Sequence, residues 1–411
     1  MREGKTIRIR PSRLSGTAEA PPSKSMAHRL LICAGFAEGG STVRGIGAVP
    51  SEDILATIDC LRALGASCRL EDGAVLVRGT DIFSAPEGAV LPCRECGSTL
   101  RFFIPPALLG GKTVTLTGSE RLLGRPLSVY EEICGEQGLW FLRGRESLGI
   151  RGPLGSGEYI VPGNISSQFV SGLMFALPLL SGESTIRLLP PVESRPYIDM
   201  TMGAMKRFGV IAEWENEVTI RIPGGQKYRP AEARVEGDWS NAAFLLAMGI
   251  KVTGLDPESR QGDRCCEGMF EELRRGFAEM DISDCPDLGP VLFAFAAAHG
   301  GGRFTGTRRL RDKESDRAAA MAEELEKFGA KVTVGENSVT VTAEEGIRAP
   351  RARLRGHGDH RIVMALSVLC VLTGGTIQGA EAVAKSFPDF FERLRKAGAD
   401  IEEESESGGR V

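Results

Sequence analysis

The side chains best suited to chemistry stand just ahead of apolar runs. In PPSKSMAHRLL, Lys24 and Arg29 flank one such start, Arg101 follows CGSTL, Arg317 follows Lys313-Glu314-Ser315-Asp316, and Asp359-His360-Arg361 opens another. A helix N-terminus carries unpaired N–H groups and a partial positive charge, so an added cation there is unfavourable by roughly 0.3–1 kcal/mol. A phosphate or carboxylate reverses that penalty. Repeated cation-bearing helix starts therefore point to anionic ligands.

Each position also has a plain structural reading. Ser23 or Ser25 can be a helix cap, and Asp287 before Leu288-Gly289-Pro290 can be an ordinary N-cap. Ser166-Ser167-Gln168 can be a capping turn, and Lys313 to Arg317 the charged first turn of an exposed helix, AAAMAEELEKFG. The repetition, rather than any single cap, favours a substrate site.

Several familiar chemistries lack their residues. Gly110-Gly111-Lys112-Thr113 ends like a phosphate loop, but Pro106 occupies the position of its first glycine. There is no complete G-x-G-x-x-G and no G-x-S-x-G, and four histidines offer few general bases. Carboxylates and lysine are left for proton transfer. Cys93-x-x-Cys96 has no second pair at zinc spacing and His357-x-x-His360 stands in a Gly-rich turn, so no metal or other cofactor is expected.

These residues need elements to hold them, and the chain repeats one pattern about six times. The apolar copies are SKSMAHRLLICAGFAEGG, GSTLRFFIPPALLGG, SSQFVSGLMFALPLLSG, WSNAAFLLAMGI, DLGPVLFAFAAAHGGG and GDHRIVMALSVLCVLTGG. Segments apolar on every side predict buried helices. After each comes a β-like segment, then a charged amphipathic stretch, several of which close on glycine at Gly65, Gly209, Gly329 and Gly398. Alternating strands follow. The unit is buried helix, strand, surface helix, strands, and such units must stack around shared helices.

At 411 residues, three copies in each of two domains fit the length. A break is expected near Tyr228 to Ala233, and the N-terminal strand KTIRIRP is expected with the C-terminal half. The acidic tail EEESESGGR is expected to fray. With net charge −4 there is no general basic field, so nucleic acid and membrane surfaces are not expected partners. The start has no apolar signal core and no run reaches the roughly 20 residues of a bilayer span, which gives a cytoplasmic, reducing location as the expectation.

In order along the chain, Pro22-Ser23-Lys24-Ser25 with Arg29, CGSTLR at 96–101, Gly124-Arg125-Pro126, Ser166-Ser167-Gln168, Ser194-Arg195-Pro196-Tyr197, Lys313 to Arg317, Asp359-His360-Arg361 and Lys385-Ser386-Phe387-Pro388-Asp389 resemble the 5-enolpyruvylshikimate-3-phosphate synthase family. The resemblance covers nearly the whole chain. It implies an α/β fold of two similar domains, each of three βαβαββ-type repeats around buried parallel helices, an inverse α/β barrel-like enolpyruvyl transferase fold. Residues 1–19 with 235–411 would form a discontinuous domain and 20–234 an inserted one, with crossings near 17–22 and 228–238. The implied reaction transfers the enolpyruvyl group of phosphoenolpyruvate to the 5-hydroxyl of shikimate 3-phosphate, within chorismate and aromatic amino-acid biosynthesis. No cofactor is implied, and a monomer whose domains close around substrate helix starts is expected.

By the same resemblance, Lys24, Ser25, Arg29, Ser166, Ser167, Gln168, Ser194, Tyr197, Asp287 and Lys313 hold shikimate 3-phosphate. Lys24, Gly97, Arg125, Gln168, Arg317, His360, Arg361 and Lys385 hold phosphoenolpyruvate. Asp287, Glu314 and Lys24 do the acid–base work. The residue types suit two anions, which at about 7 Å repel by roughly 2 kcal/mol per unit charge pair. Departures from the common family pattern are Pro22, His28, Glu95 and Ser315. Gly97 makes the phosphoenolpyruvate-competitive inhibitor glyphosate an expected ligand. UDP-N-acetylglucosamine enolpyruvyl transferase is a rival, but its Lys-Asn pair is Lys24-Ser25 here and GSERLLGRP lacks its loop cysteine. A catalytically silent anion-binding homologue is the other rival, opposed by retention of Asp287 and Glu314.

Overall fold

The computed structural model describes residues 4–404. The chain divides into two compact units, Met1–Pro21 with Gly237–Val411, and Pro22–Glu236. Each has its own hydrophobic core.

All six apolar runs form buried helices. Lys24–Gly35, Gly97–Ala107 and Ser167–Ala176 lie in the inserted unit. Trp239–Ala247, Gly289–Ala298 and His360–Thr373 lie in the other. Most of their apolar residues are almost fully withdrawn from water, from Leu31 and Ile32 to Val291, Leu292 and Met364, with Leu372 in a last turn exposed. Area burial at about 25 cal/mol per Å² makes this the main stabilising term in each unit.

The charged stretches form the second helix of each repeat: Glu52–Ala63, Ser128–Glu136, Arg195–Arg207, Cys266–Arg274, Arg317–Lys327 and Phe390–Lys396. At the first of these the Gly65 N–H donates to the Arg62 carbonyl and the Ala66 N–H to that of Leu61, closing the helix through a left-handed Gly65 with φ 105°. Gly209, Gly329 and Gly398 repeat the positive φ, and Gly138 and Gly276 supply it in the two copies where the sequence signal was weaker.

Among the described residues the strands make five four-stranded sheets and one two-stranded sheet. One pattern recurs: Ala89–Pro92 runs parallel to Thr113–Thr117, which pairs antiparallel with Ser147–Arg151, itself antiparallel to Trp140–Arg143. With the two intervening helices this is the βαβαββ repeat. Three sheets join strands distant in sequence, one of them the two-stranded sheet of Thr17–Glu19 with Lys251–Thr253. Glu232–Arg234 runs parallel to Gly39–Arg44, and the N-terminal Thr6–Ile9 inserts between Gly375–Gln378 and Ile401–Glu404. Glu402 to Glu404 are therefore strand rather than frayed tail, because they pair with Thr6 to Arg8; the rest of that acidic segment lies outside the described residues.

A helix meets the backbone of its neighbour closely at Gly172 in Ser167–Ala176. A Cβ there would meet the Tyr130 hydroxyl at 2.3 Å and the Arg101 carbonyl of the neighbouring helix at 2.5 Å. Gly172→Ala is expected to destabilise the protein by about 1–3 kcal/mol, the usual cost of overpacking. A denaturant midpoint equal to that of the parent would contradict this close approach.

Candidate active site

In the inserted unit the first buried helix is capped by Ser23, whose Oγ accepts from the Met26 N–H at 3.3 Å. The capping reading thus holds for Ser23, leaving Lys24 and Ser25 to other work. Lys24 Nζ is 2.7 Å from Asp53 Oδ2, both side chains largely buried. Arg29, one turn further, is 2% exposed. It donates to Thr201 Oγ1 (2.8 Å), the Ser25 carbonyl (2.7 Å), the Tyr197 carbonyl (3.0 Å) and Ser171 Oγ (3.4 Å). These acceptors are neutral. Burial accordingly lowers the Arg29 pKa to about 10. A buried guanidinium without a counter-charge among the described residues is a standing attraction for an anion.

The second buried helix starts at Gly97, capped by Cys96 Sγ, which accepts from the Thr99 N–H at 3.4 Å. A Cβ on Gly97 would lie 2.5 Å from Arg125 Nη1. Gly97 is thus small because a cation rests against it. The third begins at Ser167, capped by the Ser166 hydroxyl, so Ser166 does serve as a cap. Gln168 accepts from Arg101 Nη1 at 2.7 Å and donates to Ser98 Oγ at 3.0 Å, linking the two helix starts. Ser194 is buried with φ 57°, a left-handed conformation that serine adopts only under local constraint. Tyr197, half-buried, follows in the first turn of Arg195–Arg207.

In the other unit the charges converge on Arg317, which is 1% exposed. Its Nε donates to Asp359 Oδ2 (2.8 Å), Nη1 to Asp287 Oδ1 (2.8 Å) and Nη2 to Glu314 Oε2 (2.6 Å). Burial opposes the charge, but Asp359, Glu314 and Asp287 outweigh it and hold the guanidinium above its usual pKa. Asp287 also contacts Lys313 Nζ at 3.1 Å and Arg361 Nη2 at 3.1 Å. Burial lowers the Lys313 pKa despite Asp287. Arg361 is 3% exposed, and its Nε and Nη1 are buried without an acceptor among the described residues. Donors aimed away from water with no partner are costly unless a ligand satisfies them. His360 is buried next to Asp359, and Lys385 Nζ donates to the Gly358 carbonyl at 2.9 Å.

Two plain readings fail here. Asp287 is not the cap of Gly289–Ala298, whose N-cap position is Leu288: it sits in the short turn Pro286–Leu288, and its carboxylate meets three cations. Lys313 to Arg317 is not an exposed first turn, since the helix begins at Arg317, the most buried charge of the segment, with Asp316 as its cap. Geometry also adds partners that the motifs did not single out for the site. Asp53 holds Lys24, and Thr201 and Ser171 hold Arg29. Asp359, quoted only as part of a motif, caps His360–Thr373 while accepting from Arg317 and from Ser315 Oγ at 3.0 Å. The usable signal was the need of a buried lysine or arginine for an acceptor.

A family model described as EPSP synthase (3-phosphoshikimate 1-carboxyvinyltransferase) matches residues 9–394. A 3-phosphoshikimate 1-carboxyvinyltransferase of Clostridium kluyveri is 38% identical over 97% of this chain and 99% of its own length. That of Clostridium perfringens is 37% identical over 97% and 100%. In structure, the chain is similar to EPSP synthase from Acinetobacter baumannii, with TM-score 0.78 and 24% identity over 98% of this chain and 100% of that one, a likeness of fold.

Alanine at position 97 must push the Arg125 guanidinium aside. Gly97→Ala is expected to raise the KM for phosphoenolpyruvate about tenfold, equivalent to about 1.4 kcal/mol, while leaving that for shikimate 3-phosphate nearly unchanged. Steady-state kinetics with each substrate varied in turn checks this. An unchanged phosphoenolpyruvate KM would remove the Gly97–Arg125 contact from the donor site.

Proposed function

Since the chain belongs to the EPSP synthase family and transfers the enolpyruvyl group of phosphoenolpyruvate to shikimate 3-phosphate with release of phosphate, we propose that Asp287 and Glu314 divide the proton work of that reaction. One observation carries the assignment: both carboxylates are bonded to the same buried Arg317, at 2.8 and 2.6 Å, while remaining partly open to solvent. They are the accessible acidic groups of an otherwise buried cationic cluster.

In this mechanism Glu314 delivers a proton to the methylene carbon of phosphoenolpyruvate. The neighbouring carbon becomes cation-like and accepts the 5-hydroxyl oxygen, whose proton passes to Asp287. The resulting tetrahedral intermediate returns the methyl proton to Glu314 and breaks its bond to the phosphate oxygen. Phosphate leaves with the proton from Asp287, and Lys24 neutralises it while sharing the transfer. Asp53, 2.7 Å from Lys24, aims the ammonium group.

The anion-holding groups follow the same reading. Ser25, Arg29, Ser166, Ser167, Gln168, Ser194, Tyr197 and Lys313 serve shikimate 3-phosphate; Gly97, Arg125, Gln168, Arg317, His360, Arg361 and Lys385 serve phosphoenolpyruvate. The unsatisfied Nε and Nη1 of Arg361 suit a carboxylate or phosphate oxygen pair. Glyphosate, an anion that competes with phosphoenolpyruvate, is read as a ligand of this second set.

Phosphate release from phosphoenolpyruvate should require shikimate 3-phosphate and not proceed with UDP-N-acetylglucosamine. Glu314→Gln should still bind both substrates but turn over about 10²- to 10⁴-fold more slowly. Near-normal turnover would take the acid role from Glu314.

Lys313 supplies a pH test. A lysine pKa lowered by burial means that the charged form is lost, as pH rises, below the ordinary value of 10.5. kcat/KM for shikimate 3-phosphate, which reports the free enzyme, should therefore fall on an alkaline limb beginning below that value. In Lys313→Arg the limb should move to higher pH. An unmoved limb would assign it to another group.

A further inference from the structure

The strongest feature outside this mechanism is a pair of thiols beside it. Cys265 and Cys285 lie with their sulfurs 3.6 Å apart, the first exposed and the second 3% exposed. Cys265 ends the short turn Gly262–Cys265, immediately before the helix Cys266–Arg274. Cys285 immediately precedes Pro286 and Asp287.

We propose that Cys265 and Cys285 form a covalent modification site, closed to a disulfide by a low-molecular-weight disulfide and thereby slowing turnover through displacement of Asp287. The two thiols differ in the way such chemistry needs. The attacking thiol must be reachable and ionisable, the resolving thiol close behind it. The Cys285 thiol lowers the pKa of Cys265, with burial and the carboxylates of Asp263 and Asp284 acting in the opposite direction. The bond to Cys265 and burial raise that of Cys285. Neighbouring Cys266 is fully buried and its thiol is raised by burial, so adjacency in sequence does not make it a competitor.

The exchange balances without a metal or oxygen. The Cys265 thiolate attacks one sulfur of glutathione disulfide, forming a mixed disulfide and releasing one glutathione thiolate. Cys285 gives up its proton and attacks the Cys265 sulfur, releasing the second glutathione. Two protein thiols are oxidised, and one small disulfide is reduced to two thiols. Bond formation draws the sulfurs from 3.6 Å to about 2.05 Å. That pull acts two residues from Asp287, whose carboxylate is fixed to Lys313, Arg317 and Arg361 at 2.8–3.1 Å. The effect on turnover rests on the acid–base role of Asp287 proposed above; formation of the disulfide does not.

The test is to incubate reduced full-length protein with glutathione disulfide, digest it without reduction and identify cross-linked peptides by mass spectrometry, with phosphate release measured on the same samples. The expected product joins Cys265 to Cys285. Turnover is expected to fall roughly ten- to hundredfold, as for a misplacement of about 1 Å, and to return with dithiothreitol. Cys265→Ser should keep the starting activity and resist the loss. Cys285→Ser should retain glutathione as a stable adduct on Cys265, with its thermal midpoint confirming that it is folded. Persistence of the mixed disulfide in the parent, a cross-link elsewhere, or no oxidation would overturn the site. The expected cross-link with unchanged turnover would overturn its coupling to Asp287. Because the cross-link is read by mass, its failure is distinct from failure of the Glu314 and Asp287 assignment.

Discussion

A guanidinium almost out of contact with water is costly unless fixed partners meet it, and Arg317 is met by charge, a condition that it imposes on its unit. Taking an ion out of water costs several kcal/mol even after relaxation. Three carboxylates meet the requirement, and each comes from a different place: Asp359 from the cap of a buried helix, Asp287 from the turn before another, and Glu314 from the segment just ahead of Arg317. The ion cluster therefore fixes three backbone segments to one another. Asp359 is fully buried, and its pairing with Arg317 outweighs burial to keep its pKa below the usual value. It anchors the cluster, while the partly exposed Asp287 and Glu314 remain at its edge.

The inserted unit treats its buried cation differently. Arg29 is as enclosed as Arg317 is, but its acceptors are hydroxyls and carbonyls, and burial lowers its pKa. Neutral oxygens orient a guanidinium without cancelling its charge. One unit thus concentrates carboxylates around an arginine, suited to proton transfer, and the other keeps positive charge available, suited to binding anions. The difference lies in the acceptors, since both units use the same buried-helix repeat.

The repeat was legible because each of its parts has a local cause. Wholly apolar runs announce buried helices, glycines past the charged stretches announce helix ends, and Ser23, Ser166 and Asp359 have the chemistry of caps. What escaped reading depends on distant partners. Thr201 meets Arg29 across 172 positions of sequence, and Asp53 meets Lys24 across 29. No periodicity encodes such encounters. Arg317 follows the same rule: AAAMAEELEKFG has an amphipathic helix pattern, and it is the carboxylates of Asp359, Asp287 and Glu314 that hold Arg317, the residue just before it, inward.

Helix caps explain why binding chemistry and local folding share residues here. The N-terminal N–H groups of a buried helix need acceptors whether or not a ligand is present. Ser23, Cys96, Ser166 and Asp359 supply them from side chains, which leaves the next residues, Lys24, Gly97, Ser167 and His360, at the mouth of the helix. A residue there is held by the helix without being needed to hold it. Substitution just after a cap can therefore change what the helix start binds, while substitution of the cap changes the helix itself. The same separation allows Cys96 to be a cap through its sulfur while Gly97 gives Arg125 room, so that one dipeptide meets a folding demand and a steric one with different atoms.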